Sequence, residues 1–544
     1  MAGASDEHPH IVLVGAGHSQ IEVLRLFGMN PMAGARKTLI SRDYHAPYSG
    51  MLPGLIAGHY DFDDAHINVA PLARFAGARF IHDEVAQLDL EERVVHCTRR
   101  PPISFDLLSI NVGSRPIVSA VPGAAEFAVP VKPVDAFLEY WPSLVRKAVE
   151  SEDPLTVVVV GGGAGGVELT LAMQHRLHRE RTQLGKDPNR IRFEIVNAAE
   201  SVLSTHTPRV QAKMRRVLDE RKVTVNNNTR VVAVTDSEIK TESGAVIAYD
   251  ELIWVTEGGP QPWIAESGIA TDDRGFIEVD ETLRSTSHPF VFASGDVSFM
   301  KHAPRPKSGV FAVRQGPYLA SNLRRTVRRE PLERYEPQTQ FLSLISTGDQ
   351  YAIASRGSFA LEGAWVWRWK DRIDRAFMEK YDVSKTSMNG QDLMEQMRCG
   401  GCGCKIGSDA LTAALRNIEQ PNADGVVIGL DAPDDAAVVQ IPAGTLAVQS
   451  IDFFRAFIDD PYVLGKVAAH HCLTDLYAMG ATPHTALAMA TIPYDAAPFA
   501  GDTLADLLKG AVEVLNADGA TLVGGHTTEG PELAFGLSDH GYVA

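Results

Sequence analysis

Up to Leu323 the chain alternates short apolar runs with stretches whose apolar positions recur at helical spacing: IVLVGAG precedes SQIEVLRLFG, and TVVVVGGGAGG precedes VELTLAMQHRL. An apolar run without polar alternation describes a strand covered on both faces, and a helix after each strand is the crossover that a parallel sheet requires. The pattern predicts an α/β architecture with two strand, glycine-turn and helix units, near residues 11 and 156. From Ser355 to Tyr381 aromatic and charged residues take over, and KYDVSKTSMNGQDLMEQ then reads as a polar linker, which places a boundary near residue 385. Beyond it, the strand-like TLAVQSIDFF and the helix-like LGKVAAHHCLTDLYAMG predict a separate α+β domain.

Composition narrows the class. A chain of 544 residues exceeds what one core supports, so about three domains are expected. Its 45% apolar and 22% charged residues are ordinary for a folded enzyme. A formal net charge of −17 opposes non-specific attachment to phosphate backbones, so no nucleic-acid partner is expected. The first ten residues, MAGASDEHPH, hold acids and no apolar core of a secretory signal, and the longest apolar runs, such as Leu155 to Val160, are too short to cross a bilayer. The expected location is cytoplasmic. Five cysteines, three of them in RCGGCGC, fit free thiols in a reducing compartment better than a disulfide framework.

The glycine turns are the first candidate chemistry. Gly15 and Gly17 follow a strand and open a helix, where a pyrophosphate can approach the backbone at the helix N-terminus. Gln20 stands where a third glycine would complete the fingerprint. After the next strand, KTLIS, Asp43 is the nearest acid for a ribose hydroxyl, although Ser41 lies nearer the strand end. The second turn is complete: Gly161, Gly163 and Gly166 form G-x-G-x-x-G, with Glu168 in the first turn of the helix. The strand RFEIVNAAE ends in Asn197, neither acid nor arginine, so NADH and NADPH are not distinguished.

Further segments extend these turns into a family resemblance. SINVGSRP carries Gly113, ELIWVTEGGPQP closes the second unit, and FIEVDETLRSTSHPFVFASGDV ends in Gly295 and Asp296. With YSGMLPGLIAGHY, they resemble the FAD-dependent pyridine nucleotide oxidoreductases, most closely the type II NADH dehydrogenase-like branch, over about residues 10 to 380. The resemblance implies two Rossmann-like domains, one for FAD and one for NAD(P)H. In it Asp296 bonds the ribityl and pyrophosphate region of FAD, and PKSGVFAVRQGP lies along the isoalloxazine ring. The implied limits are 8–120 and 285–330 for the two parts of the FAD domain, 121–284 for the NAD(P)H domain, and 331–384 for an interface segment and linker. Cys97 is the only cysteine before residue 399, and a single thiol makes no redox disulfide. Electrons then pass to something external: a quinone, oxygen, a metal, or a selenium or sulfur species. Trp365, Trp369, Ile373, Phe377 and Tyr381 recur every four residues with Arg368, Lys370, Arg372 and Arg375 between them. The simpler reading is the buried face of a helix on its own domain, and the other is an interfacial helix giving peripheral contact with the inner face of a membrane.

In MRCGGCGCKIG, glycines around Cys402 and Cys404 give a mobile loop, and Lys405 lowers a thiol pKa or meets a phosphate. That suits a nucleophile or carrier; a soft metal on Cys399, Cys402 and Cys404 is the alternative, although zinc requires a fourth ligand. With APDDAAVV, QSIDFF, CLTDLYAMGATP and LVGGHT following in order, the segment resembles selenide, water dikinase (selenophosphate synthetase), in which ATP and selenide become selenophosphate, AMP and phosphate. The resemblance implies an AIR synthetase-like α+β N-terminal domain over 385–544, with Cys402 and Lys405 catalytic, Asp435 and Asp475 on Mg²⁺, and Asp452 at ATP. Two departures stand out: His471 replaces a usual asparagine near the nucleotide, and only the first of that family's two domains is matched, so an incomplete dikinase module is expected. The leading expectation is a homodimeric fusion of reductase and dikinase module; the alternative is a membrane-peripheral NADH:quinone reductase whose C-terminal piece serves dimerisation or nucleotide sensing.

Overall fold

The computed structural model describes residues 8–32, 34–116, 121–256, 258–383, 408–416, 418, 424–430, 437–493 and 499–544. The described chain falls into two compact units, the larger made of Pro9–Arg79 and Asp83–Thr386, the smaller chiefly of Ser387–Ala544.

In the larger unit, strand His10–Val14 lies parallel to Arg36–Ser41 on one side and to Leu107–Ile110 on the other, and Val291–Ala293 continues the sheet beyond Leu107–Ile110. Every residue of His10–Val14 is buried, as a strand covered on both faces requires. A second parallel sheet centres on Leu155–Val160, flanked by Ile191–Val196 and Glu251–Trp254. Helix Ala164–Gln183 packs on it: Val157, Val159, Ile195 and Ile253 share a core with Val167, Leu171 and Leu177 of that helix and with Phe137 and Leu144 of helix Val134–Glu150. Three antiparallel strands, Ser343–Ser346, Ala352–Arg356 and Phe359–Gly363, lead directly into helix Ala364–Glu379.

The smaller unit holds the sheet order Leu446–Arg455, Ala534–Val543, Thr482–Pro493, Thr521–Gly530, antiparallel except for the last pair. Helices Pro461–Ala478 and Ala500–Ala517 share one apolar core with it, in which Leu473, Leu476, Leu504 and Leu508 meet Phe535 and Leu537. This α+β arrangement agrees with the expectation for the last domain. Among the described residues, no helix is long and apolar enough to cross a membrane.

Candidate functional site

Three parallel strands bring the first candidate site together at their carboxyl ends. Gly15, just past His10–Val14, has φ +88° and donates its N–H to Ile40 O at 2.8 Å. A Cβ on Gly15 would stand 2.6 Å from Asn111 O, and one on Gly17 2.2 Å from Asn111 Oδ1, so only glycine fits against the end of the neighbouring strand. Asn111 is buried and donates from Nδ2 to Ser294 O at 2.6 Å, tying in the third strand. Gly295 follows, its N–H held by Gln315 Oε1 at 2.6 Å, and Asp296 accepts from Ser114 Oγ at 3.3 Å and Lys132 Nζ at 3.2 Å. Gly113, one residue before Ser114, has open space where a side chain would be. Gly15, Gly17, Gly113, Gly295 and Asp296 thus converge from distant parts of the chain, at the edge of an open α/β sheet where ligands bind. Gln20 replaces the third glycine with a buried amide that donates to Ser109 O at 2.7 Å. The Ser41 hydroxyl is used inside its own turn, donating to Asp43 O at 3.0 Å, whereas Asp43 presents a carboxylate clasped by Arg42 through two contacts of 3.1 Å.

The second turn repeats the geometry. A Cβ on Gly161 (φ +130°) would meet Val255 O at 2.3 Å, one on Gly166 would meet Gly161 O at 2.0 Å, and Gly163 opens onto free space at the start of the helix. Asn197 is consumed by this turn: its Nδ2 donates to Ala199 O and Asn227 Oδ1, and it fills the place beside Gly162. Glu168 turns away from the glycines to accept the Ser346 N–H at 2.7 Å, and burial pushes its carboxyl up to about 7 against the pull of Lys370. These turns fit a dinucleotide: backbone without side chains, open space and helix N-termini for phosphates, and a carboxylate for hydroxyls.

One cluster escaped the sequence. Lys370, buried on helix Ala364–Glu379, donates to Asp374 and to Gly50 O, and Asp374 accepts the Tyr48 hydroxyl at 3.1 Å. Tyr48 stacks on Phe377 at 4.4 Å between ring centroids, and His18, beside both rings, has its pKa lowered to about 4 by burial. The available signal was the spacing of Lys370 and Asp374, four apart on one helix face.

The aromatic stripe corrects an expectation. The buried face of its helix is Val366, Lys370 and Asp374, with Tyr381 just beyond the helix, whereas Trp365, Trp369 and Ile373 are 48%, 39% and 40% exposed. The four-residue spacing mistook the face because the helix buries a polar, ion-paired stripe against YSGM instead of its tryptophans. Trp365 and Trp369 stack on each other in the open, and Phe359 and Leu361 of the preceding strand are also exposed.

In the smaller unit, Cys399, Cys402, Cys404, Lys405 and Asp435 lie outside the described residues. Asp475 accepts the Ser450 hydroxyl at 2.6 Å, and Asp452 is paired with His471 at 3.3 Å, so the histidine in the asparagine position has an acid as its partner. Cys472, buried beneath, has its thiol pushed up to about 12 by burial, with the charges of Asp539, Asp452 and Asp475 acting in the same sense. Asp539 was missed: burial, with Asp475 and Asp452 nearby, pushes its carboxyl up to about 6. Its signal was an acid at a position that shares a face with Phe535 and Leu537 in AFGLSDHGYV. No group of three His, Cys, Asp or Glu among the described residues is already arranged around a metal position.

Two family models match successive parts of the chain. Residues 9–316 match the family described as pyridine nucleotide-disulphide oxidoreductase, and residues 433–543 match AIR synthase related protein, N-terminal domain. The selenide, water dikinase of Clostridioides difficile is 39% identical over 155 residues, which are 28% of this chain and 43% of that protein. That of Nitratidesulfovibrio vulgaris is 38% identical over 153 residues, with the same coverage. The chain therefore spans less than half the length of the curated relatives it matches. Among solved structures, the sulfide:quinone oxidoreductase of Aquifex aeolicus aligns with TM-score 0.59 at 18% identity, covering 69% of this chain and 91% of that one. NDH2 from Plasmodium falciparum in complex with NADH aligns with TM-score 0.60 at 16% identity, covering 69% and 98%. These likenesses establish a shared fold over the larger unit.

Proposed function

Since the chain belongs to the pyridine nucleotide-disulphide oxidoreductase family, matched over residues 9–316, we propose that its larger unit is an FAD-dependent NAD(P)H oxidoreductase working beside a selenide, water dikinase module. The observation that carries the first half is the convergence of Gly15, Gly113, Gly295 and Asp296 at the carboxyl ends of three parallel strands. Gly15 and Gly17 let a pyrophosphate reach backbone N–H groups, Asp296 receives ribityl hydroxyls, and Asp43 meets the adenosine ribose. Gly161, Gly163 and Gly166 do the same for NAD(P)H, while Glu168 ties their helix to strand Ser343–Ser346. Bound FAD supplies hydride acceptance from NAD(P)H and electron delivery. Tyr48, Lys370 and Asp374 form a largely buried, ion-paired cluster on the same unit. Cys97 has no second cysteine in this part of the chain, so the acceptor is an external small molecule.

In the smaller unit, the reading assigns Cys402 to carry or activate selenide, Lys405 to offset phosphate charge, Asp452 to ATP, and Asp435 and Asp475 to Mg²⁺. Asp475, exposed and among the described residues bonded to the Ser450 hydroxyl, is placed to take a cation. Joining the activities raises their effective concentration, which matters for an oxidisable species such as selenide. The domain limits set out above belong to this proposal. So does a homodimer: Ile451 and Phe453 stand exposed on the edge strand Leu446–Arg455, where association would cover them.

One observation favours a second reading. Exposed Trp365, Trp369 and Ile373, with Arg368 and Arg372 beside them, suit a helix lying on the inner face of an anionic membrane, which is where a quinone reductase works. Anaerobic assays separate the two. Selenide-dependent AMP formation from ATP and Mg²⁺, abolished in Cys402→Ser, supports the dikinase coupling. Fast NADH:quinone turnover in lipid, indifferent to that substitution and without AMP formation, supports the alternative. Purified protein lacking a bound yellow flavin refutes both.

A further inference from the structure

Asp539 is buried where no other described residue gives its carboxylate a hydrogen bond. It lies on strand Ala534–Val543 directly opposite Ser450 in antiparallel register, and directly opposed residues send their side chains to the same face of a sheet. Phe535 and Leu537, earlier on that face, pack with Leu473 and Leu476 of helix Pro461–Ala478, so Asp539 points under this helix. Asp475 belongs to the same helix, and the Ser450 hydroxyl holds its carboxylate at 2.6 Å, which draws it to the position beside Asp539. Asp539 is 0% exposed, and neither of its carboxylate oxygens has a hydrogen-bond partner among the described residues. The nearby His471 contacts Asp452 at 3.3 Å.

A buried carboxylate with no donor is costly in its charged form, and either a proton or a cation relieves it. Hard divalent cations take carboxylate oxygens, and Mg²⁺ in particular binds to one or two carboxylates while water and phosphate oxygens complete its shell. We propose that Asp539 joins Asp475 as a protein ligand of a divalent cation, Asp539 from beneath the helix and Asp475 from the solvent side. This deepens the reading of the smaller unit as one that handles ATP with Mg²⁺, and rests on it only for the choice of metal.

The test is titration of the chelator-treated full chain with Mn²⁺, followed by electron paramagnetic resonance of the free ion, for the wild type, Asp539→Asn and Asp475→Asn. Both variants are expected to weaken Mn²⁺ binding at least tenfold. Thermal melting supplies the second readout. In chelator, Asp539→Asn melts no lower than wild type, because an unpartnered charge has been removed; Mn²⁺ raises the melting temperature of the wild type but not of this variant. Asp539→Ser makes the same test with a smaller side chain. Wild-type Mn²⁺ affinity in Asp539→Asn, with loss only in Asp475→Asn, overturns the inference and leaves the Mg²⁺ reading intact. A wild type that binds no Mn²⁺ overturns both.

Discussion

Replacing Asp374 by leucine should be among the most damaging single changes in the larger unit, and replacing Lys370 by methionine at the same time should undo much of the damage. The two side chains are 6% and 9% exposed and form an i, i+4 ion pair on helix Ala364–Glu379, with Tyr48 and Gly50 O as further partners. Removing one member of such a pair strands the other charge in a largely buried site, which costs about 3–5 kcal/mol. Losing the acceptor of the Tyr48 hydroxyl adds about 1 kcal/mol or more. Replacing both members by apolar residues of similar volume removes the stranded charge, and the net change for a buried pair is then near zero or favourable, leaving about 1–3 kcal/mol for the unpaired tyrosine. The double variant should therefore be at least about 2 kcal/mol more stable than Asp374→Leu alone. Urea denaturation followed by tryptophan fluorescence suits the measurement, because Trp365, Trp367 and Trp369 lie on this same helix. A double variant no more stable than the single, or a single variant within about 1 kcal/mol of wild type, would mean that the pair is hydrated and the argument from burial is wrong.

Three other outcomes are expected. Burial raises the Glu168 carboxyl from 4.5 to about 7 in the folded state, so between these pH values the native state holds a proton that the unfolded chain has released. Stability should then fall as pH rises through that window, by roughly 3 kcal/mol in all, and Glu168→Gln should remove this slope; a variant with an unchanged pH profile of denaturation would be the contrary result. Substituting Trp365 and Trp369 by serine should reduce sedimentation with anionic vesicles at least tenfold while leaving the melting temperature nearly unchanged, since both side chains are exposed; a large loss of stability instead would show that they pack in the folded protein. Cys472, buried and with its thiol pushed up to about 12, should escape iodoacetamide at pH 8 in the native protein and react after unfolding, as peptide mass spectrometry would show.

What the sequence determined by itself are features whose cause is local. A turn that needs φ near +88° or a backbone free of Cβ demands glycine, so Gly15, Gly161 and Gly166 announced the two strand-to-helix turns, and runs such as TVVVV announced strands buried on both faces. Gly295 and Asp296 were legible for a similar reason, as a tight turn at a strand end. Tertiary structure alone decided the rest. Tyr48 and Asp374 are 326 residues apart in sequence, and nothing near either names the other. The stripe from Trp365 to Tyr381 satisfied helical spacing, yet spacing specifies which residues share a face and not which face meets a neighbour; the buried Lys370–Asp374 pair settled that. Asp539 looked like an ordinary strand residue until its register opposite Ser450 placed it under the helix that carries Asp475, with no hydrogen-bond partner for its carboxylate oxygens among the described residues.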